Sequence, residues 1–144
     1  MLKSLNEPGR EIPIRAETEV LVAGAGMAGV SAALAAARHG KKVMLVEREY
    51  ALGGMATLGL ITIYLPLCDG MGHQLVFGQG EELLRLSIKY GYEGKYPAAW
   101  LDGGSEEERK SQRFMVQFNP QLFALTLEEL LLSAGVDILY GTVV

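Results

Sequence analysis

The chain has 144 residues, of which 13 are basic and 17 acidic, giving a formal net charge of −4. Because proteins that bind nucleic acid present clustered positive charge, this balance excludes a broad basic surface, and no nucleic-acid partner is expected. The single cysteine, Cys68, excludes an intrachain disulfide, a thiolate zinc cluster and a redox-active cysteine pair, and the sequence predicts no metal site.

Residues 1–18 are predicted to form an extended leader. This segment is rich in charge and contains Pro8 and Pro13, so it lacks the apolar core of a secretory signal, and we expect a cytoplasmic protein. Two uncharged runs follow, at 20–37 and 51–68. Glycines stand in them where a membrane span would have Leu, Ile and Phe, so no membrane partner is expected.

Residues 19–46 have the order expected of a βαβ unit. Residues 19–23 form a short apolar, β-branched run that predicts a strand, and residues 28–39 are rich in alanine, the best helix former. Gly40 then predicts the helix end, and residues 42–46 predict a second strand. A connection of this length joins parallel strands, because a hairpin would need only a few residues.

The elements after the βαβ unit are less regular. Residues 51–78 are rich in glycine and predict an ordered loop with a short strand near 60–65. The other predicted elements, in chain order, are a helix at 81–90, a solvated loop at 92–113 in which Ser105 and Glu108 have the spacing of a capping box, a strand at 113–118, a helix from the N-cap Asn119 to Gly135, and a third strand at 136–144.

Between the first predicted strand and helix lies a glycine motif whose spacing is typical of dinucleotide binding. Gly24 permits a tight turn, Gly26 leaves room for a pyrophosphate against the backbone, and Gly29 lets the helix start close to the sheet. The N–H groups of Met27, Ala28 and Gly29 then face the anion, which the positive end of the helix dipole stabilises.

Glu47 follows the second predicted strand, where its carboxylate can accept hydrogen bonds from both hydroxyls of an adenosine ribose. A 2′-phosphate would meet like charge there, which favours FAD or NAD over NADP. Arg48 weakens that preference, since a neighbouring arginine suits a phosphate. The plainer interpretation, a chance glycine pattern beside a solvated strand end, stays open at this point.

The residues that follow Glu47 distinguish FAD from NAD. With them, the sequence resembles the FAD-dependent oxidoreductases whose cofactor domain is like that of glutathione reductase and fumarate reductase flavoproteins. The residues that carry the resemblance are Gly24, Gly26, Gly29, Ala33, Ala37, Gly40, Val43, Glu47 and the block 52–57. The double glycine in that block is the specific part. Glu19 departs mildly from the family, which more often has Asp there.

The resemblance implies FAD as the cofactor and adds site residues to those of the glycine motif. It implies that Val144, at the end of the third predicted strand, lies beside the adenine. It also implies that a second block passes close to the pyrophosphate, the ribityl chain and the flavin, and this block consists of Gly53, Gly54, Met55, Ala56 and Thr57.

The fold class implied is α/β, a Rossmann-like parallel sheet in the order 3-2-1 with flanking helices, of the FAD/NAD(P)-binding type and truncated. Residues 19–144 are then the N-terminal part of an FAD-binding domain, with 92–118 as the candidate start of a substrate or cap region. The resemblance begins at residue 12 and covers only the first part of a typical member. Catalytic residues are therefore not assigned, and the lack of a cysteine pair disfavours the disulfide reductase branch.

The function expected is that of an FAD-dependent oxidoreductase, with hydride or electron transfer between an unidentified small-molecule substrate and an unknown acceptor. Two alternatives stay open: an NAD-dependent dehydrogenase, which Gly53 and Gly54 disfavour, and a non-catalytic module that binds an adenine dinucleotide. The order 3-2-1 leaves the first strand at an open edge. We therefore expect weak flavin affinity and self-association of this chain through that edge.

Overall fold

A computed structural model describes Ser4, residues 8–9 and residues 11–144. The strands are β1 (Val20–Ala23), β2 (Val43–Val46), β3 (Ile63–Tyr64), β4 (Val116–Gln117) and β5 (Asp137–Leu139). The helices are α1 (Met27–Arg38), α2 (Gln79–Ser87), α3 (Ala98–Leu101), α4 (Glu106–Lys110) and α5 (Pro120–Ser133), with a 3₁₀ turn at Gly54–Ala56. Residues 11–18 form neither helix nor strand, and seven positions of the predicted leader (1–3, 5–7 and 10) lie outside the described residues.

The main sheet contains β1, β2 and β5, with β2 in the centre and both pairs parallel. Leu21 is opposite Met44, and Met44 is opposite Asp137 on the other side. This arrangement confirms the predicted sheet order 3-2-1 and places the carboxyl ends of β1 and β2 side by side. In parallel sheets, ligands bind beyond that end of the strands.

The core lies between the main sheet and the helices α1 and α5. Helix α1 packs on β1 and β2 and also contacts α5. Val43 and Leu45 of β2 are fully buried beneath it, each contributing about 1.5–3 kcal/mol by leaving water. The fully buried side chains of the two helices are Val30, Ala33, Leu34, Phe123, Leu127 and Leu131. Small residues on α1 thus keep this helix close to the sheet.

Helix α5 has the boundaries that its flanking residues predict. The Asn119 side chain accepts hydrogen bonds from the backbone N–H groups of Gln121 and Leu122, at 3.0 and 3.1 Å. The Phe118 and Phe123 rings meet edge to face at 4.8 Å, as a hydrophobic staple requires. The predicted cap and staple are confirmed.

A second sheet pairs β3 with β4 in antiparallel orientation. Both strands are shorter than the predicted segments, which were 60–65 for β3 and 113–118 for β4. The inward face predicted for the segment 113–118 is confirmed. Its three apolar side chains, Phe114, Val116 and Phe118, are buried. Burial of these side chains holds the segment 113–118 in place, although only two of its residues pair with β3.

Three sequence-based boundaries were wrong. The segment 92–113 is not simply a solvated loop, because it contains α3 and α4 and buries Trp100, whose ring stacks on Phe114 at 5.2 Å. The third strand ends at Leu139 rather than continuing to 144, because Gly141 turns the chain with φ of +62°. Helix α2 runs from Gln79 to Ser87 rather than over 81–90. The capping box between Ser105 and Glu108 does form, at the start of α4.

The face of the main sheet that points away from the core is largely open. Leu21 is 54% exposed and Leu139 43% exposed. With Met44 and the segment 14–18 they border a hollow of about 850 Å³. Among the described residues, β2 is the only strand paired with β1, so one edge of β1 is open. No helix within the described residues is both long enough and apolar enough to cross a bilayer.

We propose that this open edge lets copies of the chain associate, and Leu21→Lys tests the proposal. A lysine on an edge strand opposes pairing with a second strand, because its charge would be buried in the interface. We expect sedimentation velocity to show association for the native chain and a shift toward monomer for the variant. The control is Leu132→Lys, a comparably exposed position on α5. A native chain that stays monomeric at high concentration would contradict the proposal.

Candidate functional site

The glycine turn joins the end of β1 to the start of α1. Gly24 has φ of +92°, a conformation that side chains disfavour, and this confirms its role in a tight turn. Gly26 is the N-cap of α1, and its carbonyl accepts the first helical hydrogen bond from Val30 N–H at 2.9 Å. The N–H groups of residues 27–29 precede that bond and lack partners within the helix. In the described structure, no side chain caps this end of α1.

Gly29 has the predicted role of letting the helix approach the strand. A Cβ atom at this position would overlap the carbonyl oxygen of Gly24. Ala33 lies one turn further along α1 and is fully buried. The first turn of α1 can therefore contact the end of β1 only because residue 29 has no side chain.

The second glycine block lies directly against the turn. Gly53 donates its backbone N–H to the carbonyl of Ala25 at 2.8 Å, and Gly53 and Gly26 form an isolated parallel bridge. A Cβ at Gly54 would be 3.0 Å from the Cα of Gly26, a distance shorter than nine in ten natural Cβ contacts. The structure therefore brings together two motifs that are separated by more than twenty residues in sequence.

Glu47 is fixed against the same turn. One carboxylate oxygen accepts the backbone N–H of Ala25 at 2.5 Å, and the other accepts the N–H of Glu49 at 2.9 Å. A backbone hydrogen bond also joins the turn to the end of β2, since Gly24 N–H donates to the carbonyl of Val46 at 2.8 Å. The carboxylate thus lies at the glycine turn, as the sequence predicted.

The surroundings of Glu47 favour its charged form. Partial burial by itself raises the pKa of Glu47. Hydrogen bonds from the backbone N–H groups of Glu49, Ala25 and Arg48, together with the charge of Arg48, outweigh burial and lower the pKa below 4.5. Glu47 is therefore an ionised acceptor at neutral pH, and its two oxygens keep further lone pairs for a ligand.

One end of the turn borders a cleft of about 310 Å³ on the side where the sequence predicts the adenosine. It is lined by Ala23, Gly24, Val46, Glu47, Arg48 and residues 142–144, which include Val144. The backbone N–H of Thr142 donates to the carbonyl of Glu47 at 3.0 Å and holds the end of the chain there. Arg48 directs its Nε to the Glu49 carboxylate at 3.0 Å. Glu47, Arg48 and Val144 are thus brought together.

The other end of the turn borders an apolar cleft of about 330 Å³. Sequence reasoning assigned Met27, Met55 and Ala56 to the site, and the structure places all three here. The further lining residues are Ile61, Ile63, Tyr64, Leu65, Phe118 and Phe123, which sequence reasoning missed. The alternation of Ile61, Ile63 and Leu65 in an uncharged run was the signal available. Thr57 is buried instead, with its hydroxyl donating to the Leu52 carbonyl at 2.5 Å.

Cys68 lies apart from these clefts and has a local structural contact. Its Sγ accepts the backbone N–H of Phe114 at 3.3 Å. The neighbouring Asp69 carboxylate is 2.7 Å from His73 Nδ1. This hydrogen bond from His73 lowers the pKa of Asp69. Cys68 is thus a loop thiol with a structural contact to the backbone.

The glycine turn, the second glycine block and the strand-end acid agree with the outcome of sequence comparison. Residues 19–144 match the family described as FAD dependent oxidoreductase. The chain belongs to the FAD dependent oxidoreductase family. FAD is therefore its cofactor, as the block at 53–57 indicated, and the resemblance inferred from the sequence is confirmed.

Individual relatives cover parts of this chain. The thioredoxin reductase of Ureaplasma parvum serovar 3 is 32% identical over 75 residues, which are 52% of this chain and 24% of that protein. The soluble pyridine nucleotide transhydrogenase of Chromohalobacter salexigens is 54% identical over 39 residues, 27% of this chain and 8% of that protein. The chain thus matches a quarter or less of the length of these curated relatives.

Solved structures support the fold of the family. The crystal structure of Thermovibrio ammonificans THI4 superimposes with a TM-score of 0.51 at 18% identity, covering 86% of this chain and 38% of that one. At this identity the similarity concerns the fold alone. A Rossmann-like parallel sheet with flanking helices is confirmed.

Replacing Glu47 by glutamine tests the charge at the turn through the pH dependence of stability. Because the folded-state pKa is lowered, the carboxylate stabilises the fold above about pH 4.5 and loses that contribution as the pH falls through the folded pKa. We expect the melting temperature of the native chain to exceed that of Glu47→Gln at pH 7, with the difference shrinking below pH 4.5.

The control for this measurement is Glu107→Gln, a change of the same charge on the exposed helix α4. It should leave the pH profile close to that of the native chain. A constant difference between native and Glu47→Gln proteins from pH 7 to pH 3 would show that the carboxylate charge does not stabilise the turn.

Proposed function

We propose that this chain holds FAD across the glycine turn and that the whole protein transfers hydride or electrons between a small-molecule substrate and an acceptor through the flavin. The observation that carries the proposal is the packing of Gly54 against Gly26 beside a helix N-terminus, with the ionised Glu47 carboxylate hydrogen-bonded to the same turn. Among the described atoms, a Cβ on Gly26 would meet nothing within 4 Å, so space remains for a pyrophosphate.

Each part of the proposed site has a distinct task. The N–H groups of Met27, Ala28 and Gly29 donate to phosphate oxygens, and the positive end of α1 stabilises their charge. Glu47 accepts from the ribose hydroxyls through the lone pairs that the backbone leaves available. Val144 provides main-chain and apolar contact for the adenine. Within the block 53–57, the accessible residues Gly54, Met55 and Ala56 contact the ribityl chain and the flavin, whereas Gly53 and Thr57 are buried and hold the block in place. When bound, FAD supplies the redox chemistry, and the protein orients it.

Parts of the proposal concern more than these 144 residues. Since the matched region is a small fraction of each curated relative, the substrate, the acceptor and the catalytic residues belong to the whole protein. We include in the proposal a cytoplasmic location, which cell fractionation would test. We also keep 92–118 as the start of a substrate or cap region, because this segment contributes β4 to the separate two-stranded sheet.

A non-catalytic module that only binds the dinucleotide is the competing candidate. The exposed apolar cleft next to the turn favours an enzyme, because a storage or sensing site has no need of an open surface beside the reactive end of the cofactor. Photoreduction of the bound flavin with EDTA as the electron donor, followed by reoxidation with a dye acceptor, tests this: an enzyme should pass electrons to the dye faster than free reduced FAD does, and a module that only binds should not.

A pair of glycine variants tests the proposal. Gly26→Ala adds a methyl group in open space at φ of −63°, so we expect a melting temperature close to that of the native chain. FAD affinity, measured by calorimetry, should fall about tenfold or more, because the methyl occupies the place of the pyrophosphate.

The matched variant Gly29→Ala should behave differently. Its methyl group overlaps the Gly24 carbonyl oxygen, so the chain should lose about 1–3 kcal/mol of stability as the helix moves away from the strand. Native-like FAD binding by a folded Gly26→Ala protein would contradict the proposed position of the cofactor.

A further inference from the structure

A pocket of about 280 Å³ lies between the stretch 95–97 and the residues 111–113 and 115–117. It shares no lining residue with either cleft at the glycine turn. Its volume is close to the lower end of the range for small-molecule sites. The proposed binding of FAD therefore leaves this pocket without a ligand of its own.

Hydrogen bonds between the two walls hold the pocket in place. The backbone N–H of Glu93 donates to the carbonyl of Gln117 at 2.8 Å. The indole N–H of Trp100 donates to the carbonyl of Gln112 at 3.0 Å, and the Trp100 ring is buried against Phe114. Because these contacts need no ligand, the pocket is already formed in the free chain.

Two cationic side chains, Lys95 and Arg113, line the pocket, and no acidic side chain does. Within the described part of the chain, neither of them forms an ion pair. Most of the other Lys and Arg side chains there pair with a carboxylate, as Arg38 does with Glu82. Two cations without acidic partners thus border one pocket.

The amide of Gln112 adds a neutral donor to these charges. Its Oε1 accepts the backbone N–H of Ala99 at 3.2 Å, which leaves the Nε2 hydrogens for a ligand. The other hydroxyls of the lining are already used as donors, Ser111 to the Glu108 carbonyl at 2.6 Å and Tyr96 to Asp102 at 3.1 Å. An ionised carboxylate or phosphate, which accepts without donating, suits such a set of groups.

The remaining lining includes apolar groups. Pro97 and Val116 are buried side chains of the walls, and Met115 is partly exposed beside them. A bare inorganic ion would leave this surface in water, whereas the apolar part of an organic ion would cover it and gain free energy. The planar guanidinium of Arg113 matches the geometry of a carboxylate or a phosphate.

We propose that this pocket is a binding site for a small organic anion. The carboxylate or phosphate group of the anion contacts Lys95, Arg113 and the Gln112 amide. Its apolar part covers Pro97 and Met115. This inference goes beyond the proposed function and does not depend on whether the glycine turn binds FAD.

The test uses the 144-residue chain with ¹³C-labelled methionine methyl groups and three probes that share one ring. Benzoate and phenyl phosphate are anions, and benzamide is uncharged. We expect both anions to shift the Met115 methyl signal, which a Met115→Leu variant assigns, until the site is saturated. Benzamide should bind about tenfold more weakly or less, because it lacks the charge that the cations recognise. The tighter of the two anions identifies the preferred acidic group.

Charge variants locate the anion within the pocket. Lys95→Gln and Arg113→Gln should each weaken benzoate binding about threefold or more. Both side chains belong to exposed residues, so the melting temperatures should stay close to native. The matched control is Lys42→Gln, which removes the same charge from an exposed residue outside the pocket and should leave the affinity unchanged. Higher ionic strength should weaken the binding of benzoate but not that of benzamide.

Four outcomes would overturn the inference. They are the absence of any shift with either anion, equal binding of benzoate and benzamide, anion binding that both pocket variants leave unchanged, and shifts at Met27 and Met55 in place of Met115. The last would locate the anion at the glycine turn. A chain that binds benzoate as expected but no FAD would refute the proposed function and leave this inference standing.

Discussion

The close contact between two glycine segments is the constraint on which the site depends. Gly54 approaches the Gly26 backbone so closely that a side chain at position 54 would crowd it, and the Gly53 N–H fixes the distance by bonding to the Ala25 carbonyl. Ala25 also donates to Glu47. The glycine turn, the second glycine block and the end of β2 therefore meet at Ala25, through the backbone N–H of Gly53 and the side-chain carboxylate of Glu47.

The parallel sheet makes this meeting possible. Because β1 and β2 are adjacent and parallel, the glycine turn and Glu47 leave the sheet at the same edge. The ends of the turn then open onto two unlike clefts, one with a carboxylate and one that is largely apolar and has no charged side chain. Under the proposed function, that difference orients the cofactor, with its adenosine toward the carboxylate and its flavin toward the apolar cleft.

Local signals predicted the parts of the structure that local physics determines. The turn at Gly24, the alanine-rich helix α1 and the Asn119 cap of α5 depend on neighbours in sequence, and the structure contains all three. The sequence alone did not indicate α3, because its stability comes from Trp100 stacking on Phe114, a contact between distant residues. It also missed the apolar cleft, since Ile61 and Phe118 become neighbours only when β3 pairs with β4.

The most direct measurement of the central claim is the change in backbone amide signals of the ¹⁵N-labelled chain when FAD is added. The account predicts the largest shifts at Met27, Ala28 and Gly29, where N–H groups meet phosphate, with little change in α4. Binding of FAD that leaves these three amide signals in place would contradict it.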